Sequence, residues 1–241
     1  MPVRKIAIKM DKELDKNELA QMASSLWTPL TDEQRELLAD NVSLLKLEAG
    51  NTVFYEEDTP MYLYYLIQGK VTMQRRGEYG HPQIVRMVEP GAIFGYAAAF
   101  DAGNYSYSAV AGENTEVLTV PIKLMFHFVW ENSDFAMLFL RDMASLLGQS
   151  VQRTINLTQK HIRGRLAESL VRMWEKYGVA EDGQTLKIYL SRDELGKMSN
   201  MTTSNAIRTL SSFAQEQLVA TEGRKLKILD MDALRRVSQM G

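Results

Sequence analysis

The sequence of 241 residues contains no cysteine. This absence excludes disulfide bridges, thiolate zinc sites and cysteine-ligated iron–sulfur clusters. Histidine is also scarce, and His81, His127 and His161 do not follow a metal-ligand spacing. A metal-dependent enzyme built on the strands would need several such ligands close together. We therefore expect no metal site, no catalytic residues and no enzymatic activity.

Long apolar runs are absent as well. No run approaches the roughly 20 residues that cross a membrane as a helix. The opening stretch MPVRKIAIKMDKELDKNELA lacks the hydrophobic region of a signal peptide. The sequence therefore predicts a cytoplasmic protein that does not bind membranes.

Neither sign of charge dominates, since the formal net charge is −2. The charge is nevertheless uneven: residues 1–159 carry 14 basic and 20 acidic side chains, whereas residues 160–241 carry 14 and 10. A basic second part can attract nucleic acid even when the whole protein is slightly acidic. This asymmetry indicates two functions in one chain.

The middle of the chain predicts strands followed by a long helix. Short β-rich runs between Gly50 and Val120 alternate with turn residues, which is typical of a β-barrel or sandwich. A helix from Asp134 to Lys160, capped by Ser133 or Asp134, would be about 40 Å long. Its apolar positions step by three and four, as in a coiled coil: Leu140, Met143, Leu147, Val151 and Thr154. We interpret this seam as a dimer contact, with burial inside one chain as the alternative.

A run near the C-terminus predicts two short helices and a hairpin, after a short strand LKIYL. In LSRDELGKMSNMTTSNAIRTLSSFAQEQLVATEGRKLKIL, Ser191 and Glu194 form a capping box, and Asn200 suits the left-handed turn between the helices. Thr202 can cap the second helix. We expect that helix to bury Ala206, Ile207, Leu210 and Phe213.

The exposed face of that second helix favours DNA binding. It carries Thr, Ser, Asn and Arg side chains, which donate to phosphates and recognise base edges in a major groove. The hairpin around Gly223 places basic residues near its tip, as a wing does. The alternative is a solvated helix without a ligand. The predicted DNA-binding residues are Arg192, Thr202, Thr203, Ser204, Asn205, Arg208 and Lys225.

These motifs resemble those of the CRP/FNR (catabolite activator/fumarate-nitrate regulator) family of bacterial transcription regulators. The resemblance begins near Leu26 and includes SRDELGKMSNMTTSNAIRTL, RGRLAESLVRM, NSDFAMLFLRDMASLLGQSVQRTINL and AGNTVFYEEDTPMYLYYLIQGKVTM. It implies an α+β protein with an N-terminal antiparallel, cyclic-nucleotide-binding-like β-roll (residues 1–132), a dimerisation helix (133–160) and a C-terminal winged helix-turn-helix domain (161–241).

The same resemblance implies partners. These are a second copy of the chain, double-stranded DNA, RNA polymerase at the loop Tyr177–Thr185, and a small-molecule effector held by the β-roll against the long helix. Members that recognise TGTGA-type half-sites carry Arg and Glu where this sequence has Thr203 and Ser204. We therefore expect a different operator sequence.

The stretch IFGYAAAFDAGNYSYSAVA departs from the cyclic-AMP-binding members. Those members have Gly-Glu followed later by Arg-Ser or Arg-Thr, whereas here Tyr96 follows Gly95 and Ser106 or Tyr107 replaces the arginine. Without that acid and cation, cyclic AMP is not the expected effector. We predict a neutral or aromatic ligand in a pocket formed by Gly95, Tyr96, Ala97, Tyr105, Ser106, Tyr107, Ser108 and Ser150. Two alternatives stay open: a constitutive regulator whose tyrosines only fill space, and a heme-based gas sensor.

Overall fold

The structure, a computed structural model, describes residues 15–76 and 82–240. Its helices are α1 (Lys16–Gln21), α2 (Ser24–Trp27), α3 (Asp32–Asn41), α4 (Ala97–Phe100), α5 (Ile122–Glu131), α6 (Ser133–Gln159), α7 (Ile162–Tyr177), α8 (Arg192–Met198), α9 (Thr203–Gln215) and α10 (Met231–Met240). Its strands are β1 (Ser43–Leu47), β2 (Thr52–Phe54), β3 (Tyr62–Gln68), β4 (Val71–Arg76), β5 (Pro82–Val88), β6 (Ile93–Phe94), β7 (Ser108–Ala111), β8 (Thr115–Pro121), β9 (Val219–Glu222) and β10 (Lys225–Ile228). None of the described helices is long and apolar enough to cross a membrane.

The described chain forms two compact units: the first contains residues 15–76 and 85–146, and the second contains residues 82–84 and 147–240. The first unit contains two four-stranded sheets, in the orders β1-β8-β3-β6 and β2-β7-β4-β5. All the strand pairs with a described register are antiparallel. The predicted α+β class with an antiparallel β-roll is confirmed.

Strand β3 separates two hydrophobic cores because successive side chains of a strand point to opposite faces. Tyr64 and Leu66 lie in the core between the sheets, together with Phe54 and Tyr105. Leu63 and Tyr65 lie in a second core, which the helices cover. Both faces of β3 are therefore buried, which explains why the run YLYYLI is apolar throughout.

The start of α6 is fixed by Asn132. Its side-chain oxygen accepts a hydrogen bond from the Phe135 backbone N–H at 3.0 Å, while its Nδ2 donates to Pro29 O at 2.8 Å and to Gln34 Oε1 at 2.8 Å. The prediction of Ser133 or Asp134 as the cap is wrong, because Asn132 satisfies the helix end and anchors it to the segment around α3 at the same time.

Three of the five predicted seam positions on α6 carry apolar side chains that are more than half exposed. Leu140, Leu147 and Val151 are 55%, 66% and 53% exposed. Met143 instead packs partly against the helix-covered core, together with Leu138. The exposed positions leave an apolar stripe that the described residues do not cover.

The second unit contains the predicted helix-turn-helix. Ser191 and Glu194 form a reciprocal capping box at the start of α8, and the Thr202 side chain accepts from Asn205 N at the start of α9. Asn200, between the helices, has φ +50°. Strands β9 and β10 pair antiparallel around Gly223 and form the predicted wing.

Two local predictions for this unit are wrong. The run LKIYL is not a strand: Leu186 forms an isolated bridge with Val179, Leu186 N donates to Leu226 O at 2.9 Å, and Lys187 N donates to Gly178 O at 3.2 Å. Leu186, Ile188 and Leu190 are still buried, so the alternation reflects packing without a ladder. Ile207 is 46% exposed, because α9 buries only the narrower stripe of Ala206, Leu210 and Phe213.

Candidate DNA interface and effector site

The candidate DNA interface is centred on α9, which we call the recognition helix. Ser204 and Arg208 are exposed, and Asn205 is partly buried. Arg208 Nη2 donates to Asn205 Oδ1 at 2.5 Å. These two side chains, one turn apart, therefore present donors and acceptors side by side, as readout of base edges requires.

Thr203 lies at one flank of the recognition helix. Its hydroxyl donates to Asp193 Oδ1 at 3.1 Å, and Lys197 Nζ pairs with the same carboxylate at 2.6 Å. The hydrogen bond from Lys197 is the main reason why the pKa of Asp193 lies below its ordinary value. In the free chain this cluster joins α8 to the start of α9, so Thr203 contributes to positioning the helix.

Arg192 connects the first helix of the motif to the wing. Its Nη2 donates to the Gly223 carbonyl at 3.1 Å. Gly223 itself has φ +57°, which a glycine adopts without strain in a tight hairpin. Lys225 is exposed beside this turn. The predicted DNA-binding residues thus lie on α8, the recognition helix and the wing.

Sequence reasoning missed Arg163, in the first turn of α7. An open groove of about 320 Å³ is lined by Ile162, Arg163, Asn205, Arg208, Thr209 and Ser212. Arg163 therefore borders the same groove as the Asn205–Arg208 pair. No local sequence signal indicates this, because the contact joins residues about 50 positions apart.

The three predicted effector tyrosines are divided between the two cores of the first unit. Tyr96 lies in the helix-covered core, where its ring contacts Phe139 edge-on at 5.0 Å. Tyr105 lies between the sheets and stacks on Phe54 at 3.7 Å. Tyr107 is partly buried and packs against the inter-sheet core. The Tyr96 ring thus fills the helix-covered core, and the Tyr105 ring fills the core between the sheets.

The remaining predicted effector residues are spread over α4, α6, β7 and the loops beside them. Ser108 Oγ accepts from Glu56 N at 2.9 Å, and Ser106 is exposed. Ala97 begins the short helix α4 and packs against the helix-covered core. Ser150 is exposed on α6. Gly95 has φ +78°, and a Cβ there would lie 2.5 Å from Tyr64 Cδ2. Glycine is therefore required at this position by the tyrosine ring.

A charged cluster beside Tyr96 was also missed. The Tyr96 hydroxyl donates to the Asp142 carboxylate on α6, and Arg86 Nη2 lies 3.9 Å from the same carboxylate. Burial raises the pKa of Tyr96 well above its usual range, and the hydrogen bond to Asp142 acts in the same direction. Arg86 opposes the rise in the pKa of both Tyr96 and Tyr107. A cation thus does border these tyrosines, although it comes from β5.

The loop Tyr177–Thr185 is organised by Asp182. Its carboxylate accepts from Gln184 N at 3.0 Å, Thr185 N at 2.8 Å and the Thr185 hydroxyl at 2.5 Å. The Thr185 hydroxyl is the main reason why the pKa of Asp182 is far below its ordinary value. Glu181 and Gln184 are exposed beside it.

The histidines form no metal site in the described part of the chain, where no group of three or more His, Cys, Asp or Glu side chains could hold a metal ion. His127 pairs with Glu131 at 3.3 Å. His161 occupies the N-cap position of α7 but makes no side-chain capping hydrogen bond. His81 lies outside the described residues.

Comparison with known proteins matches both units. Residues 44–130 match the cyclic nucleotide-binding domain, and residues 164–237 match the Crp-like helix-turn-helix domain. Among solved structures, FixK2 from Bradyrhizobium japonicum superimposes with a TM-score of 0.73 at 19% identity, covering 81% of this chain and 96% of that one. At this level of identity the structural match supports the fold.

Two regulators align along most of the chain. The global nitrogen regulator of Nostoc sp. is 25% identical over 225 residues, which are 92% of this chain and 94% of the relative. The CRP-like cAMP-activated global transcriptional regulator of Mycobacterium tuberculosis is 24% identical over 188 residues, 78% of this chain and 84% of the relative. With both domain matches in the expected order, the chain belongs to the CRP/FNR family of transcription regulators.

Proposed function

We propose that this regulator binds a pseudo-palindromic operator as a homodimer and that a small ligand other than cyclic AMP controls its affinity. The observation that supports it most is the recognition helix, with its exposed Ser204 and Arg208 between α8 and a basic wing. In this proposal residues 1–132 sense the ligand, residues 133–160 dimerise and residues 161–241 bind DNA. The cytoplasmic location and the lack of catalysis stay predictions.

Arg208 and Lys225 test the DNA contacts separately. Replacing Arg208 by Ala is expected to weaken binding to the operator by about 1–3 kcal/mol if the guanidinium pairs bidentately with a base. Replacing Lys225 by Ala should weaken binding to every duplex and reduce the salt dependence, because a lysine on a phosphate releases a counterion. Fluorescence anisotropy with operator and scrambled duplexes over a range of salt concentrations measures both effects. Equal losses on both duplexes for Arg208→Ala would exclude base readout.

Dimerisation through α6 is supported by the uncovered apolar stripe. Leu140, Leu147 and Val151 follow heptad-like spacing and are more than half exposed. Among the described residues, a Cβ on Gly148 would meet nothing within 4 Å, so the helix surface there has room for a neighbour. A second copy of α6 presents the same stripe and would bury it symmetrically.

Ligand control is proposed for the region of Tyr96 and Tyr107. The Mycobacterium tuberculosis relative is described as cAMP-activated, but this chain has Tyr96 where an acid would bind the ribose. Because Tyr96 and Arg86 both contact Asp142 on α6, a ligand that displaces either group would shift the attachment of α6 to the β-roll. Such a ligand acts only if it binds the two arrangements with different affinities.

Cyclic AMP is expected neither to bind measurably by calorimetry nor to change affinity for DNA. Tyr96→Phe should alter the response to the true effector, since it removes the hydroxyl that donates to Asp142. Tyr55→Phe is the matched control, because Tyr55 is 52% exposed. Tight binding of cyclic AMP coupled to a change in DNA affinity would show that our interpretation of Tyr96 is wrong. If no metabolite fraction of a cell extract changes the affinity for DNA, the result would favour the constitutive alternative.

Contact with RNA polymerase is proposed for the exposed Glu181 and Gln184. Asp182 is omitted because its carboxylate already holds the loop together. Transcription in vitro with both exposed residues replaced by Ala tests this contact, provided that operator affinity is unchanged.

A further inference from the structure

Arg163 contacts the C-terminal end of the recognition helix through three residues. Its Nη1 donates to Ser212 Oγ at 2.9 Å, and its Nη2 donates to the Glu216 carboxylate. The guanidinium carbon lies 4.8 Å from the centre of the Phe213 ring. The side chain of Arg163 therefore packs against the end of α9, although the residue lies in α7.

Glu216 is the only acidic residue between Glu194 and Glu222 in the sequence. It follows directly after the recognition helix, on the flank that carries Asn205 and Ser212. A carboxylate so close to a DNA-facing surface repels phosphates unless a cation compensates it. Arg163 supplies that cation, and its hydrogen bond is the main reason why the pKa of Glu216 lies below its ordinary value.

The Arg163–Glu216 pair is accessible. The side chains are 38% and 43% exposed, and surface ion pairs of this kind contribute little to stability. Arg163 also borders the groove that contains Arg208. A phosphate that approaches this groove can therefore compete with the carboxylate for the guanidinium, which binds either anion in the same forked geometry.

We propose that Arg163 is a phosphate-binding residue of the DNA interface, and that Glu216 occupies its guanidinium in the free protein as an internal substitute for the phosphate. The inference rests on the proposed DNA-binding function. Binding to any duplex then exchanges one ion pair for another, so Glu216 lowers the affinity for DNA whatever its sequence.

The salt dependence of binding to a duplex of random sequence tests the phosphate contact in the full-length protein. Arg163→Gln should reduce the slope of log K against log salt by about 0.9 per bound chain. Arg163→Lys should keep most of the slope because it keeps the charge. Arg172→Gln is the matched control: Arg172 lies on the same helix, is half exposed and pairs with Glu168 at 3.1 Å. Its slope should equal that of the wild type.

A double-mutant comparison tests the role of Glu216. Glu216→Gln should raise affinity for the same duplex roughly two- to fivefold in the wild-type background, because it frees a surface-paired arginine. The gain should be smaller in the Arg163→Gln background, where no guanidinium remains to be freed. Circular dichroism melting of each variant identifies any loss of folding. If Arg163→Gln does not fold, Arg163→Lys replaces it in the comparison.

The outcomes are distinguishable. An unchanged slope for Arg163→Gln, with wild-type binding intact, overturns this inference and leaves the DNA-binding function standing. An equal gain from Glu216→Gln in both backgrounds also overturns it, since the carboxylate would then act only through general repulsion. If the wild type shows no salt-dependent binding to any duplex, the DNA-binding function itself fails, and the inference fails with it.

Discussion

Replacing both Leu147 and Val151 by glutamate is expected to convert the protein into a monomer and to weaken binding to a two-half-site operator by at least about 100-fold. The two side chains are 66% and 53% exposed and lie one turn apart on α6. In a symmetric dimer the substitutions would bring four carboxylates together in an apolar seam, which disfavours association. A monomer then loses the linked second half-site, which accounts for most of the lost affinity.

Sedimentation equilibrium measures the association, and anisotropy with the operator duplex measures the affinity. Arg141→Glu is the control, because Arg141 is exposed on α6 but lies about 120° around the helix from Leu147. It should remain dimeric. A double variant that stays dimeric would show that α6 does not carry the dimer contact.

Replacing Gly95 by alanine is expected to destabilise the β-roll by roughly 3 kcal/mol. The added Cβ would lie 2.5 Å from Tyr64 Cδ2 and 3.2 Å from Phe54 Cε1. The backbone conformation, φ +78°, is itself unfavourable for a residue with a side chain. Both rings belong to the core between the sheets, so the clash cannot be relieved without repacking that core.

Gly50→Ala separates the two causes of this destabilisation. Gly50 has φ +87°, but a Cβ there meets no described atom within 4 Å, so only the backbone cost of about 1 kcal/mol should appear. Scanning calorimetry of the full-length protein compares the unfolding of the β-roll in both variants. Equal destabilisation by the two substitutions would mean that the Tyr64 ring does not require glycine at residue 95.

The features predicted correctly from sequence are those that depend on neighbouring residues. The capping box of Ser191 and Glu194, the cap at Thr202 and the left-handed Asn200 each satisfy hydrogen bonds or backbone geometry within a few positions. Such patterns are visible in sequence because the partners are three or four residues apart. The helix-turn-helix motif was therefore predictable in some detail.

The features that were missed depend on distant contacts. Tyr96 and Asp142 are 46 positions apart, and Arg163 and Glu216 are 53 positions apart. Nothing in the local pattern around any of these residues indicates its partner. The strand predicted for LKIYL is wrong for a related reason. A strand forms only where a neighbouring strand can pair with it by hydrogen bonds, whereas alternation of apolar residues indicates only that alternate side chains are buried.

The most direct test of the central claim is selection of operator sequences from random duplexes by the purified full-length protein. We predict enrichment of a pseudo-palindrome whose half-site centres are about 10–10.5 base pairs apart, because a two-fold symmetric dimer places its recognition helices in successive major grooves. The half-site should differ from TGTGA, since Thr203 and Ser204 replace the Arg and Glu of members that recognise it. Recovery of no enriched sequence, or of a motif without two-fold symmetry, would contradict the proposed homodimeric regulator.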